Sequence, residues 1–271
     1  MPRPISVTYK VWLTTDALAG AAAEYFAAAV TAAVEARGVA RVAISGGTTP
    51  KAMFTLLGDR SKPYLVQMPW ERLQLFWVDE RCVPPTDKDS NYRMTSEAML
   101  QHVALPASHI HRIEGELDPE VAAARYEAAI RMEFRMEGAE IPVFDMVLLG
   151  MGEDGHTASL FPHTNALNEL GRIAVANHVP QKDTWRITLT WPVINRAREV
   201  AFLIEGAAKA QVVRDVFLGA YHPEAMPAQL IRPASGRLDL LLDAAAAALL
   251  PEAAGEETAA AVSPYVATLE I

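Results

Sequence analysis

Cysteine is nearly missing from this chain. Cys82 stands alone among 271 residues, which excludes an intrachain disulfide and a cysteine-cluster metal site and points to a reducing compartment. Positive charge is also short: Lys and Arg number 24 against 33 Asp and Glu, giving a net charge of -9 and a pI near 5.3. That balance argues against nucleic-acid or membrane partners. It does not forbid an anionic substrate, because a local pocket of Arg, Lys and helix N-termini overrides a weak, screened, distant field. No run of 18 uncharged apolar residues occurs, and the opening Met1-Pro-Arg-Pro-Ile-Ser has no apolar signal core, so the expected location is the cytoplasm. Aromatics are few at 7%, and Trp77, Trp185 and Trp191 read as core or pocket-wall residues rather than base-stacking platforms.

Several motifs are missing as well. There is no Gly-x4-Gly-Lys-Ser/Thr phosphate loop, no full Gly-x-Gly-x-x-Gly, no His-Glu-x-x-His and no Gly-x-Ser-x-Gly, which leaves no cofactor, no metal and no serine nucleophile to expect. Ser159 reads as part of a helical turn beyond a glycine loop, and His109 and His111 as an alternating strand pair.

What is present is a chain with 51% hydrophobic and 21% charged residues, in the globular range. Its centre is the stretch from Phe144 to Pro162. There an apolar Val- and Leu-rich run opens through Gly150 and Gly152 into Asp154-Gly155-His156, as a buried strand opens into a ligand loop at its carboxyl end. Around it, strands are expected at Val7–Trp12, Val39–Ile44, Leu73–Val78, His109–Ile113, Ile173–Val175, Trp185–Leu189 and Val200–Ile204, with Leu238–Asp243 as the last. Helices are expected from Leu13 to Arg37, closed by Gly38, and then over 51–57, from Asn91 to about Gln101, over 119–137 and over 207–217, with short helical pieces near 190–195 and 228–231. The alternation predicts an α/β protein with a largely parallel sheet covered on both faces. Neither a repeat nor a linker divides it, so one domain over 1–271 is expected, loosely ordered at 251–261, with a monomer as the working expectation.

Three stretches at strand ends carry chemistry. Ser45-Gly46-Gly47-Thr48-Thr49 joins a strand to a helix, where amides and hydroxyls can hold phosphate oxygens. Asp79-Glu80-Arg81 ends another strand; Arg81 suits a phosphate or a carbonyl oxygen gaining charge, and an Asp79–Arg81 ion network is the plainer alternative. Asn91 and Tyr92 are placed to orient this group. In the third, His156 is the candidate base, and Asp154 either fixes its tautomer or binds substrate hydroxyls. Gly150, Gly152 and Gly155 offer a donor nest. Lys209, at the start of a helix after the strand Val200–Ile204, can reach an anion across the sheet edge, and Arg186 interrupts an apolar strand.

Taken together, Ser45 to Pro50, Trp77 to Arg81, Ser90-Asn91-Tyr92 and Leu149 to Pro162 resemble the 6-phosphogluconolactonase family over most of the chain, from the first helix to about Leu242. The resemblance implies a Rossmann-like three-layer α/β/α fold, similar to the glucosamine-6-phosphate deaminases of the same wider group. It also implies hydrolysis of 6-phospho-D-glucono-1,5-lactone in the oxidative pentose phosphate pathway. Carried over residue by residue, Ser45, Gly46, Gly47 and Thr48 line the phosphate loop. His156 is the catalytic base, Arg81 and Lys209 bind anions, and Asp79, Asn91, Gly152 and Arg186 complete the expected substrate contacts. The deaminase pattern after the histidine is Ile-Ala-Phe-Asn-Glu-Pro. Here it reads Thr157-Ala158-Ser159-Leu160-Phe161-Pro162, so the deaminase glutamate falls on Phe161, and a phenyl ring cannot exchange a proton. A deaminase-like isomerase and a non-catalytic sugar-phosphate sensor are the alternatives.

Overall fold

A computed structural model describes residues 5–234, 237–251 and 264–270. The order begins β1 (Ser6–Trp12), α1 (Thr15–Arg37), β2 (Ala40–Ile44), α2 (Thr48–Leu57), α3 (Tyr64–Gln67), β3 (Leu73–Trp77), β4 (Asp79–Arg81), α4 (Asn91–Thr95), β5 (Ile110–His111) and α5 (Pro119–Glu133). It continues β6 (Met146–Leu149), β7 (Ala174–Val179), β8 (Thr184–Leu189), α6 (Trp191–Ile194), β9 (Glu199–Ile204), α7 (Ala210–Leu218), β10 (Arg237–Asp243) and β11 (Tyr265–Glu270). The loosely ordered stretch expected at 251–261 lies, apart from Pro251, outside the described residues.

Eight strands form one sheet in the order β11-β1-β10-β9-β6-β2-β3-β5, parallel throughout except for β11 against β1. The fully buried runs of β3 and β6 are what a sheet covered on both faces requires. From β2 the chain winds one way through β3 and β5, and from β6 the other way through β9 and β10. The order therefore reverses between β2 and β6, and a crevice opens at their carboxyl ends. The fold is Rossmann-like, α/β/α, as expected.

Helix ends follow local chemistry. Thr14 Oγ1 accepts the Ala17 amide at 3.1 Å to start α1, and Asp118 Oδ1 accepts the Glu120 and Val121 amides to start α5, with Pro119 in its first turn. α1 is the one helix among the described residues that is long and apolar enough to cross a membrane; its stripe of Leu18, Ala22, Phe26, Val30 and Ala33 is buried in the core.

Three expectations need correction. Asp79-Glu80-Arg81, expected only as the end of the Leu73–Val78 strand, is a strand of its own, and with β7 and β8 it forms a separate antiparallel sheet, order β4-β8-β7, so the strands near 173–189 do not join the parallel sheet. Val78 is the hinge between the two sheets: its amide donates to Ile44 O at 2.9 Å in the large one, and its carbonyl accepts Leu189 N at 2.7 Å beside the small one. The mixed burial of β8, with Trp185 exposed, suits an antiparallel sheet that shows one face to water. Second, Leu238–Asp243 is not the last strand; the alternating Tyr265–Glu270 adds an antiparallel edge. Third, Ser159 lies in a tight turn closed by a Thr157–Leu160 bridge, not in a helix, and Ala158 adopts the left-handed region there with φ of 49°.

Candidate active site

The crevice between β2 and β6 is a cleft of about 350 Å³, and every expected site residue except Asp154 lines it. Ser45 to Thr48 enter from β2, Asp79 and Arg81 from β4, Asn91 from α4, Gly152 and His156 from the loop after β6, Arg186 from β8 and Lys209 from the turn before α7. Asp154 acts from behind the imidazole.

The first turn of α2 lines the cleft, and in any α-helix the first-turn amides have no partner within the helix. Pro50, third in that helix, lacks a donor only where none would be bonded. Gly46 is dictated by crowding, since a Cβ there would overlap the Asn91 side chain. Ser45 Oγ accepts the Gly150 amide at 3.3 Å, joining this loop to the histidine loop.

His156 Nδ1 is paired with Asp154 Oδ1, and the same oxygen accepts the His156 amide at 3.2 Å. Of the two alternatives left by the sequence, the contact made is the one to the ring. Burial pushes the Asp154 carboxyl up, but the His156 hydrogen bond and charge together with the backbone amides hold it below the ordinary carboxylate range. With Nδ1 engaged, Nε2 is the free ring nitrogen. On its face the imidazole stacks on Phe161, centroids 4.0 Å apart and 21° from parallel, so the deaminase glutamate position is filled by a buried ring.

The glycine donor nest is not borne out. The Gly150 amide goes to Ser45 Oγ, that of Gly152 to His156 O at 2.8 Å and that of Gly155 to Gly152 O at 3.1 Å, so these donors hold the loop rather than a ligand. Nor is there an Asp79–Arg81 ion pair. Asp79 Oδ2 accepts from Ser159 Oγ at 2.7 Å, Asn91 Nδ2 donates to Asp79 O at 3.0 Å, and the Arg81 guanidinium donates to the Asp89 carbonyl.

Arg81 and Arg186 are opposed in the β4–β8 register. Burial first, then the neighbouring Arg81 charge, depresses the Arg186 pKa, though a guanidinium stays protonated. Sequence reasoning missed Lys182, which also lines the cleft, with Nζ 5.9 Å from the Phe161 ring centroid. It sits in the turn between β7 and β8, where Gln181 Nε2 donates to Pro162 O at 2.8 Å, and a single lysine in a turn carries no distinguishing pattern. Glu205 and Ser159 were missed for the same reason. Among the described residues no carboxylate lies within 4.0 Å of the Arg81, Arg186, Lys182 or Lys209 charge, so an acidic protein holds a cationic cleft. Among the described residues no group of three or more His, Cys, Asp or Glu side chains could hold a metal ion.

An α/β fold with a glycine loop at a helix start, a histidine–carboxylate pair and several cations around one cleft at its topological switch point defines a protein that acts on a small anionic molecule. The sequence model of glucosamine-6-phosphate isomerases/6-phosphogluconolactonase matches residues 13–240. A 6-phosphogluconolactonase of Synechocystis is 42% identical over 216 residues, 79% of this chain and 86% of that protein. A solved 6-phosphogluconolactonase from Trypanosoma cruzi superposes with a TM-score of 0.78 at 29% identity, covering 89% of this chain and 96% of the other. A monomeric glucosamine-6-phosphate deaminase, 20% identical, shares the fold with a TM-score of 0.71 over 90% of this chain and all of the other. The chain belongs to the glucosamine-6-phosphate isomerase/6-phosphogluconolactonase family.

Proposed function

We propose that the chain hydrolyses 6-phospho-D-glucono-1,5-lactone to 6-phospho-D-gluconate, a step of the oxidative pentose phosphate pathway, with His156 as general base. The observation that carries this reading over deamination is the buried Phe161 ring stacked on His156 where a deaminase needs a carboxylate. The named lactonase relatives support the same choice.

His156 Nε2 takes a proton from water as the water oxygen attacks the lactone carbonyl carbon, and the carbonyl oxygen becomes an oxyanion. The cations that line the cleft supply the charge that it needs. The tetrahedral intermediate collapses by breaking the bond to the ring oxygen, which takes the proton back from His156. The acid formed then ionises, so one proton is released per turnover. The α2 first turn, Arg81 and Lys209 hold the remote phosphate, which fixes the carbonyl against the water. The single cysteine, Cys82, suits a reducing compartment and with it a cytoplasmic enzyme.

Proton release from freshly generated lactone in weak buffer without added metal tests the reading directly. Acceleration over the spontaneous reaction is expected; no acceleration, or ammonia release from glucosamine-6-phosphate, overturns it. Lys209→Ala is expected to raise KM for the phosphorylated lactone about 10-fold or more, the size of losing a hydrogen bond to a charged group, with little change for the unphosphorylated lactone. Equal weakening of both removes Lys209 from the phosphate subsite. Asp154→Asn is expected to lower kcat with little change in KM, because the imidazole loses the carboxylate that Nδ1 is paired with. A parent-like kcat would mean that Asp154 does not act through the ring.

A further inference from the structure

Glu80 is a buried carboxylate that neither the cleft nor any ion pair uses. It is 2% exposed, and among the described residues no Lys, Arg or His nitrogen lies within 4.0 Å of it. Its direction follows from strand periodicity. Asp79 and Arg81 line the cleft, so the residue between them on β4 points to the other side. There it meets the start of α4. One carboxylate oxygen accepts the Arg81 amide at 2.7 Å and the Asn91 amide at 2.8 Å; the other accepts the Tyr92 amide at 2.8 Å and the Ser90 hydroxyl at 3.1 Å. Burial pushes the Glu80 pKa up, and the three amides oppose that shift. A desolvated charge with no counter-ion is costly unless its lone pairs are filled, and here four donors fill them.

What those donors belong to gives the carboxylate its consequence. Arg81 and Asn91 both line the cleft. Asn91 Nδ2 donates to the Asp79 carbonyl at 3.0 Å, and the Asn91 side chain occupies the space that a Cβ on Gly46 would need. A single buried group therefore ties the strand carrying Arg81 to the helix start that abuts the Ser45–Thr48 loop. We propose that Glu80 is a positioning residue that sets the spacing between Arg81 and the phosphate loop, and so tunes affinity for the phosphate end of the substrate. This rests on the lactonase reading above.

Glu80→Gln keeps the shape but places an amide NH2 against donors, which breaks one side of the clamp. The expected result is a rise of about 10- to 100-fold in both KM for the phosphorylated lactone and Ki for inorganic phosphate, the scale of hydrogen bonds to a charged group. The fall in kcat should be smaller, about threefold or less, because the His156–Asp154 pair lies on a different loop. A merely structural role would not move KM and Ki together while sparing kcat. Ser90→Ala removes one donor, together with the cap that accepts the Arg93 amide at 3.1 Å, without touching the cleft, and should shift KM and Ki the same way by a smaller factor; it decides the matter if the Gln variant does not fold. Unchanged KM and Ki in a folded variant, or a loss confined to kcat, overturns the inference while the parent's lactone hydrolysis leaves the functional reading standing. A parent protein inactive on the lactone overturns both.

Discussion

Replacing His156 by Ala is expected to lower kcat by about 10²- to 10⁴-fold, the usual contribution of a positioned general base. The fold should persist, because the imidazole is partly exposed and its contacts are to Asp154 and to one face of Phe161. Unchanged far-UV dichroism and an unchanged Ki for inorganic phosphate would show that the phosphate end survives while the chemistry is lost. A near-parent kcat would remove His156 from the role of base and leave the water without an activating group in this cleft.

Gly152→Ala is expected to cost kcat about 10²-fold, the scale attached to displacing a catalytic group by roughly 1 Å. A Cβ at Gly152 would overlap both His156 Nδ1 and Asp154 Oδ1, so the pair cannot keep its present geometry with any larger side chain there. The Gly152 amide already serves the loop by donating to His156 O at 2.8 Å, and that bond leaves little room to shift the backbone away. KM should change much less than kcat, since Lys209 and the α2 first turn are untouched. Parent-like turnover in this variant would mean that the Asp154–His156 geometry does not limit the reaction.

Much of the fold was legible because its signals are local. The Ala-rich helix ending at Gly38, the strand–loop–helix unit around Ser45 to Thr49, and the apolar run into Gly150 depend on capping, glycine and a buried strand's composition. Asp79-Glu80-Arg81 could be placed at a strand end but not in a second sheet, because three charged residues in a row carry no strand pattern of their own. They pair as a strand only because Thr188, Ile187 and Arg186, more than a hundred residues later, supply the partner edge. Pairing of that kind leaves no mark in either segment alone.

The site divides in the same way. His156, Asp154, Arg81 and Lys209 could be singled out from the sequence, since each follows a strand that ends at the same sheet edge in a parallel fold. Their relations could not. The expected glycine nest is spent on bonds within its own loop and to Ser45, Asp79 is bonded to Ser159 and Asn91 rather than to Arg81, and Phe161 stacks on the imidazole. Lys182 enters the cleft from a turn with no distinguishing pattern.

The sequence by itself determined which chemistry is available: a histidine two residues from a carboxylate, a glycine loop at a helix start, cations after strands, and a phenyl ring in place of a proton-exchanging acid. Only the tertiary structure decided who meets whom. Strand order brings the β2 and β6 loops together at the switch point, the small antiparallel sheet sets Arg81 opposite Arg186, and the first turn of α4 collects the donors that satisfy Glu80. The physical reason is range. Capping, helix period and strand composition act within a few residues, whereas a cleft is made by hydrogen bonds and packing between residues far apart in the chain, fixed only when the sheet has formed.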